Sequence, residues 1–322
     1  MDVFYPIKLF ADWLSYGVFG LMPKTLTGEA VNFFIFDTLK IFILLSVIIF
    51  TVSIVRSFLP PEKIRNILSR KHKFVGNILA SLLGIITPFC SCSAVPLFLG
   101  FVEAGVPLGT TFSFLVASPM INEVALILLA GMFGFRIAFI YIVSGLIIAF
   151  FSGIIIGKLK PEKLLQRVNL KEKSDFFENE TDLTWSDRID YAKRYTQSIL
   201  SSIWLYVLIG IGLGAWIHGY VPTDFLASYA GADKWYAVPL ATLIGIPLYS
   251  NAAGIIPLVS ALTEKGVAMG TTLAFMMAVT ALSLPEFLIL KKVMKTKLII
   301  IFASVVGVGI IITGYLFNLI LK

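Results

Sequence analysis

The chain has 322 residues, of which 58% are hydrophobic and only 14% are charged, and its mean hydropathy is +0.91. Soluble domains have about 45–50% apolar and about 25% charged residues, so this composition excludes a soluble domain and predicts an all-α polytopic protein of the cell membrane. The net charge of +7 comes from basic residues in loops between apolar segments, which indicates a lipid-bilayer topology and no nucleic-acid partner.

The apolar segments, taken in chain order, predict ordinary spans and two irregular elements. Residues 1–32 are predicted to form an amphipathic segment in the membrane interface, a depth that suits Trp13. Apolar segments then follow at 33–55, 76–104, 109–131, 135–157, 199–218, 236–264, 270–290 and 298–319. Segments 76–104 and 236–264 are longer than the ~20 residues that one crossing needs, and prolines interrupt both.

The two irregular segments belong to an internal repeat with an offset of 161 residues. No gap is needed from residue 61 to residue 117. The matched residues include prolines, a glutamate and glycines: Pro96 with Pro257, Glu103 with Glu264, and Gly105 with Gly266. Chance similarity between apolar helices rarely aligns such residues together. We therefore predict a first membrane repeat at 33–157 and a second at 197–322, joined by a charged cytoplasmic linker at 158–196.

The basic residues predict the orientation of the repeats. Residues 56–75 include six Lys or Arg, residues 158–196 include nine and residues 291–297 include four. All three stretches face the cytoplasm, as the positive-inside rule requires, if 76–104 and 236–264 each enter and leave the membrane on one side. The predicted fold is therefore two inverted-topology repeats, each with one span, a Pro-broken re-entrant hairpin and two further spans.

The tips of the hairpins are the predicted substrate site. The sequence TPFCSCSAVP at 87–96 contains both cysteines of the chain, and YSNAAG follows at 249–254 in the second hairpin. Non-helical backbone at membrane depth is tolerated where it is buried in protein or lines a cavity. Two thiols one residue apart can converge on a soft atom such as Cu(I), Zn(II) or trivalent arsenic, although packing as small apolar side chains is the alternative. The predicted substrate-binding residues are Cys90, Ser91, Cys92, Ser93, Asn122, Tyr249, Ser250 and Asn251, with Cys90 and Cys92 as ligands of a metal.

Two glutamates are candidates for proton coupling. Glu123 lies roughly 20 Å into its segment, given the rise of a helix, and a carboxyl group at that depth is a functional candidate by default. Glu286 is its partner in the second half, two positions out of the 161-residue register. The alternative is that each is an ordinary charge at a helix end, and for Glu286, which Lys291 follows closely, this alternative is the stronger one.

The residues from 87 to 126, TPFCSCSAVPLFLGFVEAGVPLGTTFSFLVASPMINEVAL, resemble the signature of a known family. This is the bacterial and archaeal predicted-permease family that includes the ArsP organoarsenical efflux permeases. The resemblance implies efflux across the cytoplasmic membrane, with trivalent organoarsenicals as substrates of ArsP-type members, while some relatives are labelled copper or zinc exporters. The positions that match the family's motifs are Cys90, Ser91, Cys92, Ser93, Ser118, Pro119, Asn122 and Glu123.

We therefore predict a permease that exports a soft, thiol-reactive solute, with trivalent organoarsenicals as the first choice. A copper or zinc exporter is the alternative. A membrane thiol oxidoreductase is a further alternative, but C-x-C is a poorer redox motif than C-x-x-C and no cofactor signature accompanies it. The sequence predicts no enzyme activity and no cofactor, and it contains no GxxxxGK[ST] motif for ATP. A homo-oligomer is left open.

Overall fold

The computed structural model of the chain is helical throughout the residues it describes. These are residues 4–57, 73–86, 91–103, 105–121, 123–159, 164–165, 184–220, 234–248, 255, 258–260, 262–263, 265–291 and 293–321. They contain no β-strand, and an isolated β-bridge pairs Leu165 with Met294. The predicted all-α class is therefore confirmed.

The first half of the chain forms helices that match the predicted segments, with one additional break. Helix α1 (Tyr5–Asp12) continues into a π-helical turn (Trp13–Val18) and is followed by α2 (Leu26–Ser57). The next apolar segment is divided into α3 (Lys73–Ile86) and α4 (Ser91–Glu103). The segment predicted as one span at 109–131 is divided into α5 (Leu108–Met120) and α6 (Glu123–Phe133), and α7 (Phe135–Lys158) completes this half.

The second half repeats this order. Helix α8 (Trp185–Tyr220) is followed by α9 (Ala237–Gly245). The span predicted at 270–290 is again divided, into α10 (Met269–Ala281) and α11 (Leu284–Leu290), and α12 (Thr296–Ile320) is the last helix. Each break that the sequence prediction missed lies beside a proline, Pro119 in the first half and Pro285 in the second, because proline removes a backbone donor and clashes with the preceding turn.

Several described helices are long and apolar enough to cross a membrane. They are Leu26–Thr51, Phe135–Lys158, Met269–Leu290 and Thr296–Ile320. Helices α5 and α6 pass the same test as a pair, but they are bent by 49° at the break between them. Residues 108–120 and 270–281 are almost completely buried, so α5 and α10 form the centre of the molecule while α2, α7 and α12 present one face to lipid.

The N-terminal segment packs against the start of α2. Ala11 and Ser15 are fully buried, whereas Trp13 is 61% exposed. The side-chain amide of Asn32 donates a hydrogen bond to Asp12 at 2.8 Å, which fixes α1 beside the first turns of α2. The segment thus has a small buried face and an aromatic outer face, the arrangement expected of an interfacial helix.

Helix bounds and close contacts recur at the 161-residue offset. Helices α5 and α10 have identical bounds once the offset is applied. A Cβ on Gly84 would lie 2.9 Å from the Cβ of Ala117, and a Cβ on Gly245 would lie 3.0 Å from the Cβ of Ala278. Two glycines with positive φ, Gly105 (74°) and Gly266 (83°), precede α5 and α10 at matched positions.

A second pair of contacts repeats between the long helices. Gly109 packs so closely on α7 that a Cβ would lie 2.6 Å from the carbonyl oxygen of Gly153, and for Gly270 the equivalent distance, to Gly314 on α12, is 2.3 Å. Only a residue without a side chain fits at these crossings, because a Cβ essentially never approaches a backbone oxygen so closely. The two halves therefore share their internal packing.

The matched threonines Thr110 and Thr271 have different hydrogen-bond partners in the two halves. In the first half the hydroxyl of Thr110 donates to the side-chain oxygen of Asn77 on α3 at 3.0 Å. In the second half Thr271 bonds to Asn318 on α12, through its backbone N–H at 3.2 Å and through its hydroxyl oxygen at 3.2 Å. The counterpart of Asn77 is Val238, and the counterpart of Asn318 is a glycine, Gly157. Each matched threonine is thus satisfied once, by an asparagine on a different helix.

Helices α2 and α8 are counterparts in the two halves and run antiparallel. Gly212, in the C-terminal half of α8, lies against the ring of Phe34, in the N-terminal half of α2. Residues 193–204 of α8 instead line a groove with residues 42–50 of α2. Moving forward along one helix therefore moves backward along the other.

Helix α8 begins inside the stretch that the sequence predicts as a linker. Thr184 and Asp187 cap its first turn: the Thr184 backbone N–H and hydroxyl donate to the Asp187 carboxylate at 3.0 and 2.6 Å. Tyr191 and Tyr195 are already buried and stack at 5.9 Å. Residues 166–183, the remainder of the charged stretch, lie outside the described residues.

Candidate functional site

The predicted substrate residues lie at or next to helix breaks. Ser91, Cys92 and Ser93 form the first turn of α4, and Glu123 is the first residue of α6. Cys90, Asn122, Tyr249, Ser250 and Asn251 lie outside the described residues. The backbone N–H groups of the first turn of α4 have no acceptors within their own helix, and the positive end of the helix macrodipole favours a thiolate or an anionic solute there.

Helix α3 leads into this tip, and α4 leads from it into α5. Asn77 lies near Thr110, and Gly84 lies near Ala117, so α3 runs parallel to α5. Helix α4 is joined to α5 by a tight turn in which the N–H of Val106 donates to the carbonyl of Phe101 at 2.9 Å, and the two helices are in contact.

The end of α3 lies beside the break between α5 and α6. A Cβ on Gly84 would approach the backbone nitrogen of Ser118 to 3.0 Å. Ser118 is 1% exposed, and it begins the SPMINE motif that leads into the break. The last turns of α3 and α5 therefore lie side by side.

The second half has the same junction, and one hydrogen bond closes it. The N–H of Leu284, the first residue of α11, donates to the carbonyl of Ile246 at 3.0 Å. Ile246 directly follows the last residue of α9 and precedes the predicted tip at 249–254. Helix α11 also contacts α4. Helix α11 thus contacts both the end of α9, which leads to the second tip, and α4, which follows the first tip.

Glu286 lies in the first turn of this helix and is 0% exposed. It is the only fully buried carboxylate among the described residues for which burial is given. The neighbouring Ser283 is 1% exposed, and its hydroxyl has no hydrogen-bond partner among the described residues. Buried polar groups at membrane depth mark functional positions by default. Glu286 therefore stays a candidate for proton coupling, and its position in the first turn of α11 keeps the helix-end alternative open.

Tyr141 links the break of the first half to the second half, and the sequence prediction did not identify it. Its hydroxyl donates to the carbonyl of Met120 at 3.0 Å, one of the last carbonyls of α5, and it hydrogen-bonds the side chain of Thr280 on α10. Tyr141 is fully buried. Its counterpart in the second half is Phe302. The alignment of a tyrosine with a phenylalanine in the internal repeat was the sequence pattern that could have identified it.

A row of aromatic rings connects the same helices. Phe98 on α4 contacts Phe112 on α5 with ring centroids 5.2 Å apart, and Phe112 contacts Phe302 on α12 at 5.9 Å. Phe302 in turn contacts Phe287 on α11 at 6.5 Å. Each pair of rings is within the distance range for favourable aromatic pairs, so the rings connect α4, which begins at Ser91, to the helix that carries Glu286.

The described residues contain no group of three or more His, Cys, Asp or Glu side chains that would hold a metal ion. The chemistry available at the breaks consists of thiols, hydroxyls, an amide and carboxyl groups. This set suits transient binding of a soft solute by two sulfur atoms better than a closed four-ligand zinc site.

Comparisons with known proteins identify relatives along most of the chain. The profile of an ArsP-type family described as a predicted permease matches residues 26–319. A UPF0718 protein of Methanocaldococcus jannaschii is 23% identical over 79% of this chain and 85% of its own length. A Streptococcus mutans protein, provisionally named as a subunit of a two-component membrane permease complex, is 28% identical over 81% of this chain and 83% of its own length. The UPF0718 protein YraQ of Escherichia coli is 23% identical over 81% of this chain and 73% of its own length. No solved structure is significantly similar to the chain.

Proposed function

The chain belongs to the predicted permease family whose profile spans residues 26–319, and from this premise we propose that it exports a soft, thiol-reactive solute across the cell membrane. The proposed cargo is a trivalent organoarsenical. It binds between the two hairpin tips, with Cys90 and Cys92 as the sulfur ligands and Ser91, Ser93, Asn122, Tyr249, Ser250 and Asn251 around them.

The observation that carries this proposal is the position of α11. Its first N–H is bonded to Ile246, at the approach to the second tip, and its side packs on α4, which begins at the cysteine tip. Convergence of two broken helices near the centre is the arrangement of secondary transporters built from inverted repeats. The antiparallel course of the counterpart helices α2 and α8 supports inverted repeats.

The binding chemistry follows from the two thiols. A trivalent monoorganoarsenical carries two hydroxyl groups on arsenic. Each thiol forms one S–As bond and gives its proton to a departing hydroxide, so two water molecules leave and arsenic stays trivalent. Hydrolysis reverses the exchange on the other side of the membrane and returns the protons to the sulfurs.

Release needs an energy source, and a proton gradient is the one for which the chain offers a carrier. Glu286 is buried beside Ser283, at the junction with Ile246. A buried carboxyl group that changes its protonation as the site opens to either side would couple the proton to the cargo. Glu123 occupies the matched junction in the first half and is the second candidate.

Transport into everted membrane vesicles tests the proposal. The substrates are methylated and aromatic trivalent arsenicals, compared with Zn(II) and Cu(I), and the variants are Cys90→Ser, Cys92→Ser and wild type. We expect arsenical accumulation in wild-type vesicles and its loss in both variants, because one remaining thiol cannot chelate the arsenic.

Other outcomes would contradict specific parts. Thiol-dependent accumulation of Zn(II) or Cu(I) alone would replace the organoarsenical with a metal cargo. Equal transport by the serine variants would remove the cysteines from the site and leave the permease. Since the Streptococcus mutans relative is named as a complex subunit, the vesicles are prepared both from cells that express this chain alone and from its native host.

A further inference from the structure

A groove of about 630 Å³ lies between residues 42–50 of α2 and residues 193–204 of α8. The α8 side consists of residues spaced three and four positions apart, so one face of that helix lines the groove for three turns. From α2, Phe42, Val47 and Phe50 form the opposite apolar wall. The lining of α8, in chain order, is Lys193, Thr196, Gln197, Leu200, Ser201 and Trp204.

The two ends of the groove have different chemistry. Lys193 and Gln197 are exposed at one end, while Leu200 and Trp204 continue the α8 wall into the apolar part of the helix. Thr196 stands at the transition: it is 8% exposed, and its buried hydroxyl has no hydrogen-bond partner among the described residues. A buried hydroxyl without a partner costs free energy unless a ligand or water satisfies it.

The polar end lies where basic residues are concentrated. Helices α2 and α8 are antiparallel, so Lys193 is near the C-terminal end of α2, from which the chain continues into the basic stretch 56–75. Positive charge at membrane-helix ends marks the cytoplasmic side. The lipids of that leaflet include anionic ones, and basic pockets between membrane helices bind their headgroups.

We propose that this groove binds one anionic phospholipid. The phosphate pairs with the ammonium group of Lys193, and an acyl chain lies between Phe42 and Leu200. Charge complementarity at one end and an apolar channel of ligand size at the other fit an amphipathic lipid. Because α2 and α8 are counterparts, this lipid fastens the two halves of the protein together. The proposal is independent of the cargo.

Native mass spectrometry of the purified full chain tests the proposal. The detergent solution contains equal amounts of phosphatidylglycerol and phosphatidylcholine, and the amount of each lipid retained is measured. Wild type is expected to retain phosphatidylglycerol preferentially. Lys193→Gln is expected to lower its affinity about fivefold, the equivalent of ~1 kcal/mol for one lysine near the membrane surface. Lys297→Gln is the matched control, because Lys297 is an exposed lysine in the first turn of α12. This variant is expected to retain the lipid as wild type does.

A second variant tests the apolar channel of the groove separately from the charge of Lys193. Ser201 is exposed in the groove, and Ser201→Phe fills the apolar channel without removing the lysine, so it is expected to displace either lipid. Equal retention of the two lipids by wild type would overturn the proposal, as would equal loss in the Lys193 and Lys297 variants. A dimer that Ser201→Phe dissociates would assign the groove to a second copy of the chain and overturn it as well.

Discussion

Gly309 on α12 lies against Ile148 on α7, and these two residues are counterparts at the 161-residue offset. A Cβ on Gly309 would lie 3.2 Å from Cγ2 of Ile148. When a residue touches its own counterpart, the contact lies close to the axis that relates the two halves. Isoleucine and glycine at this crossing therefore form a large-small pair on that axis.

Gly309→Ile should destabilise the protein by about 1–3 kcal/mol, the usual cost of overpacking a filled contact. Adding Ile148→Gly to this variant should recover most of the loss, because the large-small pair is restored with its members exchanged. Thermal unfolding of the detergent-solubilised single and double variants measures the coupling. Additive effects would contradict the assignment of the axis to this crossing.

Gly109→Ala and Gly270→Ala should each reduce the amount of folded protein, because the added methyl groups would meet backbone atoms of α7 and α12 at less than 3 Å. Gly131→Ala is the control: Gly131 is helical, and no atom lies within 4 Å of its added Cβ, so this variant should gain up to ~1 kcal/mol from helix propensity. Fluorescence-detected size-exclusion chromatography of the three variants compares them. A loss of the same size in the control would show that the losses do not come from the close helix crossings.

Tyr141→Phe should lower transport more than it lowers the amount of folded protein. The ring fits, since the counterpart in the other half is phenylalanine, but the carbonyl of Met120 and the hydroxyl of Thr280 lose a partner. The expected loss of stability is about 1–2 kcal/mol. Thr280→Val removes one of these two contacts and should have a smaller effect on transport. An unchanged rate in Tyr141→Phe would show that the break at 122 does not depend on this bond.

Glu286→Gln should abolish the dependence of transport on the proton gradient while the protein still folds, because the amide keeps the shape of the carboxyl group and cannot carry a proton. Glu29→Gln, at an exposed glutamate of α2, is the control. Vesicle transport with and without a protonophore, at several pH values, measures the dependence. Normal coupling in Glu286→Gln together with its loss in Glu123→Gln would move the proton carrier to the first half.

The capping box of α8 should loosen at acidic pH. Hydrogen bonds from the hydroxyl and the backbone N–H of Thr184 lower the pKa of Asp187 below its usual value. A carboxyl group with a lowered folded pKa stabilises the fold above its unfolded pKa, near 3.9, and loses this contribution as the pH falls through the folded pKa. After correction for the intrinsic exchange rate at each pH, the protection of residues 185–189 from hydrogen exchange should fall over that range in wild type. Asp187→Asn should exchange faster at neutral pH and lack the dependence.

The sequence predicted the fold well wherever a signal was carried by several residues. Segment 135–157 and segment 298–319 agree with α7 and α12 to within two residues, since hydropathy alone defines them. The breaks between α5 and α6 and between α10 and α11 were missed because Pro119 and Pro285 each stand alone in an apolar context, and a single proline can either kink a helix or end it. The burial of Glu286 depends on helices distant in sequence, so no local pattern could predict it.

The matched threonines bind asparagines on non-equivalent helices, Asn77 on α3 and Asn318 on α12, and this difference bears on how the present chain arose. Either half, doubled, would satisfy its own threonines: two copies of the first half would contribute Asn77 twice, and two copies of the second would contribute Asn318 twice. A fully symmetric protein made from one half is therefore self-consistent at this contact, as an ancestor inserted in both orientations and assembled as a homodimer would be. Exchanging α3 and α9 alone would instead leave Thr110 without an asparagine. Thr271 would then have two asparagines beside it.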